Sequence, residues 1–253
     1  MRNLTVFFLL FVVFVTVVTP LRAQTGFNLP QVEMSFDEAS EPGEVSTAMQ
    51  LLFLVTILGL APSIMLMVTS FTRIVVVLMF IGRALSLQGM PPRQVIISLA
   101  IFLTFFIMAP TIGEINERAA QPYLAGEIGQ MEALQEASVP LRAFMLQNTD
   151  REELVFFLQA AEMSRPETRA DVPIWVLIPA FMLTEIKRAF VMGVLIFIPF
   201  VVIDMVVASV LMSMGMMMLP PVMISLPFKI LLFVLVDGWT VIARSITETY
   251  GVV

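Results

Sequence analysis

IDMVVASVLMSMGMMMLPPVMISLPFKILLFVLVDGW, residues Ile203–Trp239, consists of two apolar arms on either side of a methionine-rich break. Gly215, Pro220 and Pro221 interrupt the run, and a proline pair stops the helix that precedes it. If the chain reverses at this break, the arms are two antiparallel helices. Before Asp237 the arms hold one charge each, Asp204 and Lys229, equally far from the midpoint between Met216 and Met217. An antiparallel return sets the two at similar height, within one chain or across to the next copy. The expectation is a buried charge pair that fixes register: leaving one partner alone costs about 3–5 kcal/mol, while the intact pair adds little net stability. The competing reading is that each charge reaches water on its own.

Met212, Met214, Met216, Met217 and Met218 crowd the break. Unbranched thioethers are apolar and pliant and fill gaps of irregular shape, so several of them around an axis suit an adjustable seal. Ordinary core packing is the plainer alternative. Copper(I) ligation by thioethers is chemically allowed, but the chain has no Cys or His to support it.

The whole chain shares this apolar character. Of its 253 residues 58% are hydrophobic and 13% charged, with a mean hydropathy of +0.94, so it needs lipid or an equally apolar partner. Without Cys and His, disulfides, thiolate chemistry and His-based metal or acid–base sites are excluded. The net charge of −6 comes from acidic stretches, which argues against nucleic acid as a partner. An intramembrane aspartyl pair, Asp204 with Asp237, is the enzymatic alternative, but neither residue lies in a distinctive catalytic sequence.

Arg2, the apolar run Leu4–Val18 and Pro20-Leu21-Arg22-Ala23 read as a signal peptide over 1–23, with the mature chain starting near Gln24. Residues 24–47 carry Glu33, Asp37, Glu38, Glu41 and Glu44 and no Lys or Arg, which suits a tail left outside the cytoplasmic membrane. Leu51–Val68 and Val95–Ile112 approach the length of a bilayer span, and Ile74–Ile81 is too short. Between Thr69 and Gln94 the only charges are Arg73, Arg83 and Arg93, whereas residues 113–171 hold eleven acidic and five basic residues. The positive-inside rule then places the first segment in the cytoplasm and the second, hydrophilic and helical, in the periplasm.

Within 113–171, Asp150-Arg151-Glu152-Glu153 resembles a capping box, and Leu154, Phe157, Leu158 and Ala161 follow at helical spacing. Ser138-Val139-Pro140 resembles a second helix start, with Leu141, Phe144 and Met145 on one face. Further on, Glu185, Lys187 and Arg188 interrupt Val172–Leu183 and Ala189–Ile203. Four spans is the default count, and these three charges are expected to be buried against protein rather than lipid.

TSFTRIVVVLMFIGRAL, PPRQVIISLAIFLTFFIMAP, PLRAFMLQNT, TEIKRAF and the Ile203–Trp239 stretch, in this order, resemble the FliP family, whose injectisome counterparts are the SctR proteins. The resemblance covers roughly Leu51 to the C-terminus and implies a gate domain over 48–253, an all-α protein of membrane-associated helical hairpins with its hydrophobic helices assembled in a ring-like export gate. It implies five copies joined by FliQ-type and FliR-type subunits, with other export-apparatus and basal-body ring proteins around them. Unfolded flagellar proteins would pass through this type III gate during flagellum assembly; an SctR-type injectisome gate is the alternative. It further implies a place in the bacterial inner membrane, largely at the periplasmic side within the basal body, which conflicts with four spans. No catalytic role or cofactor is implied, and the methionine stretch would be the gasket that closes the channel.

Overall fold

The computed structural model describes residues 52, 55–56, 59–60, 63–87, 89, 91–163, 166, 168–216 and 218–251. The chain divides into two units, Met1–Phe53 and Leu54–Val253. The expected signal peptide and the acidic tail lie outside the described residues, as do seven of the eighteen positions of Leu51–Val68; the described residues are mainly helical and contain no strand.

Helix α1, Phe71–Ala84, buries Arg73, Ile74, Val77, Leu78, Ile81 and Ala84, one face repeating at three- and four-residue steps. At 14 residues it is too short to cross a bilayer. After Pro91-Pro92, α2 runs over Arg93–Ile115 and is apolar all round, with only Ala100, Leu103, Ile107 and Met108 buried. A π-helical turn, Asn116–Ala120, carries it on to Leu124, 32 residues in all. Helix α3 (Gln130–Asn148) and α4 (Arg151–Ala160) are the polar pair, and Leu154 and Leu158 of α4 are buried as the spacing requires.

Helix α5 spans Ile174–Ser213, 40 residues or roughly 60 Å, twice the thickness of a hydrocarbon core. Helix α6 (Pro221–Leu235) returns beside it, and α7 (Gly238–Glu248) leaves at a bend of 61°. That bend forms at Asp237, whose φ is +50°, and at Gly238, where a Cβ would lie 2.3 Å from the Phe233 ring. Among the described residues two helices are long and apolar enough to cross a membrane, α2 with its extension and α5, or three if α6 and α7 form one bent span.

Helices α1 and α5 run parallel: Arg73 meets Glu185, and Phe80 packs on Phe190 and against Gly193. Helix α6 is antiparallel to α5, pairing Phe233 with Phe200 and Lys229 with Asp204. One apolar core lies among α1, α2, α5, α6 and α7, and a second joins Met145, Leu154, Leu158, Val176, Leu177 and Phe181 at the polar end.

Several expectations are corrected. The segments on either side of Glu185, Lys187 and Arg188 are one uninterrupted helix, because each charge finds a partner beside the helix and none has to leave it. Pro140 does not start α3 but sits ten residues inside it. No side-chain cap forms at Asp150: its carboxylate pairs with Arg188, and its backbone N–H donates to Thr184 Oγ1 at 3.1 Å. Arg73 is not a loop charge facing the cytoplasm but is fully buried on α1, so it carries no weight in the positive-inside argument.

Candidate functional site

The candidate site is the α5–α6 hairpin and the polar groups at its base. Asp204 and Lys229 meet within one chain, Lys229 Nζ donating to Asp204 Oδ2 at 2.6 Å. The environment is unequal, since the lysine side chain is 2% exposed and the aspartate 31%. Two hydroxyls complete the knot: Ser225 Oγ donates to Asp204 Oδ1, and Lys229 Nζ donates to Ser86 Oγ at 2.8 Å. Ser86 follows α1 in the left-handed region, φ +57°, which turns its hydroxyl position toward the hairpin at the end of the helix. With both oxygens of Asp204 engaged, the carboxylate has the surroundings of an ion pair and not those of a proton-sharing acid dyad.

Among the described residues, no polar side chain from outside the hairpin bonds to the two arms beyond this knot. Val202, Val206, Val210, Ile224 and Phe228 line an open apolar groove of about 480 Å³ between them. At the tip, Ser213 ends α5, Met214–Pro220 reverses the chain, and Pro221 starts α6. Met212, Met214, Met216 and Met218 are all exposed, Met218 at 99%, so they fill no core of this chain; Met217 lies outside the described residues. The hairpin thus presents an exposed apolar tip on a charge-paired base.

The FliP family profile matches residues 54–246. The chain belongs to the FliP family. It is 53% identical over 212 residues to the flagellar biosynthetic protein FliP of Bacillus subtilis, covering 84% of this chain and 96% of that protein. The FliP protein of Caulobacter vibrioides is 48% identical over 222 residues, 88% of this chain and 84% of its own length. That of Aquifex aeolicus is 44% identical over 237 residues, 92% and 98% of the two chains. The match thus takes in the described helices from α1 through all but the last two residues of α7, hairpin included.

Of the other charges expected to be buried in this FliP-family chain, Glu185 is at 0% exposure and paired with Arg73. Lys187 and Arg188 are not buried. Lys187 lies on the surface against Glu153 (3.0 Å) and Glu152 (3.6 Å), and Arg188 is about one third exposed against Asp150. They sit beyond the rim of the core because the N-terminus of α4 brings its acidic first turn to the flank of α5. Sequence reasoning missed Arg73, Ser86, Ser225 and Tyr250. For Arg73 a signal existed, since it stands alone on the apolar face shared by Ile74, Val77, Leu78 and Ile81; for the hydroxyls nothing in the sequence marks one serine above another.

Proposed function

We propose that this FliP-family protein is a subunit of the flagellar type III protein export gate, acting in flagellum assembly and not as an enzyme. The observation that carries the reading is family membership over α1–α7 with relatives named as flagellar biosynthetic proteins. Those names also favour the flagellar system over an injectisome. Apolar helices and family together support a membrane-embedded flagellar component.

In the finer reading, the chain is delivered by a signal peptide over 1–23 and keeps the acidic tail 24–47 and the 113–171 helices outside. The gate itself is built by 48–253. Five copies join FliQ-type and FliR-type subunits in the inner membrane, largely at the periplasmic side of the basal body, surrounded by ring proteins. The methionine tips converge on the axis, where pliant thioethers close the channel yet yield to an unfolded flagellar protein in transit. The Asp204–Lys229 pair, with Ser86 and Ser225, fixes the height of each tip; a charge pair of this kind contributes register more than stability.

The mass of the complex extracted in detergent, with and without co-expressed partner subunits, tests this reading. A gate subunit gives a large assembly that grows when the partners are present, whereas a solitary carrier gives the mass of one chain in both cases.

A further inference from the structure

Arg73, Glu185, Thr249 and Tyr250 form a second polar cluster, which the hairpin does not use. Arg73 and Glu185 are both at 0% exposure. The guanidinium approaches the carboxylate with two nitrogens, Nε donating to Oε2 at 3.0 Å and Nη2 to Oε1. The end of the chain supplies the rest. Arg73 Nη1 donates to Thr249 Oγ1 at 3.0 Å, the Tyr250 hydroxyl donates to Glu185 Oε2, and the Tyr250 ring lies 4.0 Å from Arg73 Cζ. Phe144 of α3 stacks on the same tyrosine, planes 14° apart.

We infer that Thr249–Tyr250 is a C-terminal latch that closes the buried Arg73–Glu185 pair and thereby holds α7 against α1 and α5. An ion pair removed from water is tolerable only when the donors and lone pairs left over by the pair itself are also filled. Glu185 takes two of the five guanidinium N–H donors, which leaves the second hydrogen of Nη2, both hydrogens of Nη1 and the cationic face. Residues that follow α7 meet part of that remainder: a hydroxyl for one Nη1 hydrogen and an aromatic ring for the face. Arg73 and Glu185 are 112 positions apart, and their site is sealed only once the last helix has docked. Gly251, just past the ring, is exposed. This inference rests on geometry alone and stands apart from the export reading.

The test is the thermal transition of the full-length protein in detergent. Tyr250→Leu keeps apolar bulk but removes ring face and hydroxyl, and it should lower the transition by about 5–10 °C. In an Arg73→Met/Glu185→Leu background, where no charge needs covering, the same change should shift it by at most about a third as much. Equal losses in the two backgrounds would overturn the latch. Should the apolar double variant fail to fold, Tyr250→Phe decides: it keeps the ring over the cation and should retain most of the stability that Tyr250→Leu loses, and a Phe variant no better than Leu overturns the inference. A chain ending at Glu248 should melt below the full-length protein; if it melts normally, the latch is likewise refuted.

Discussion

Asp204→Leu and Lys229→Met should not be equivalent, although each breaks the same ion pair. Asp204→Leu leaves the Lys229 ammonium, on a side chain 2% exposed, with Ser86 as its remaining partner. Removing one member of a buried pair in this way costs about 3–5 kcal/mol. Lys229→Met leaves the Asp204 carboxylate, 31% exposed, still accepting from Ser225 and open to water, and the cost falls to about 1–2 kcal/mol. At about 2–4 °C per kcal/mol for a chain of this size, the first variant should melt roughly 10 °C below the unaltered protein and the second roughly 4 °C below. The double variant, with apolar groups in both places, should recover to within about 3 °C. The assay is the thermal transition in detergent, with swimming motility as the functional readout. Exchanging the charges, Asp204→Lys with Lys229→Asp, should restore part of the motility that either exchange alone abolishes. Equal losses in the two single variants, a reversed order, or a double variant no better than the worse single one would refute the reasoning.

Replacing Met216, Met217 and Met218 with Ala should make cells leak ions or small molecules, measured as membrane permeability; unchanged permeability with normal assembly returns the stretch to packing. Gly193→Ala places a Cβ 2.6 Å from the Phe80 ring, which Phe190 holds edge-on at 5.3 Å. It should destabilise the α1–α5 contact by about 1–3 kcal/mol, read as a lower melting temperature, and Phe80→Leu should restore most of it. The N-terminal sequence of the membrane-assembled protein should begin near Gln24, and recovery of Met1 or Arg2 would make the segment an anchor.

What the sequence reveals of this fold depends on whether the signal is local. The reversal between α5 and α6 is legible because Gly215, Pro220 and Pro221 act on their own backbone, and Asp204 and Lys229 stand at equal distances from it. Helix α4 is legible from the spacing of Leu154 and Leu158. Its cap is not, because Asp150 is drawn to Arg188, a partner 38 positions away. The length of α5 is hidden for the same reason: Glu185, Lys187 and Arg188 look like a break until α1 and α4 supply their counter-charges. Pro140, Pro179, Pro199 and Pro227 all sit inside helices, where local preference predicts a boundary. Tertiary packing overrides that preference, and no window along the chain contains the packing.

The most direct test of the central claim is the protein content of the medium from motile cells lacking this gene, compared with cells in which it is restored. If the protein is a subunit of the flagellar export gate, the deletion should abolish swimming and remove flagellar proteins from the medium while small-solute uptake continues, and the restored gene should return both. Normal secretion and motility in the deletion strain, or a loss of solute uptake with secretion intact, would contradict the account.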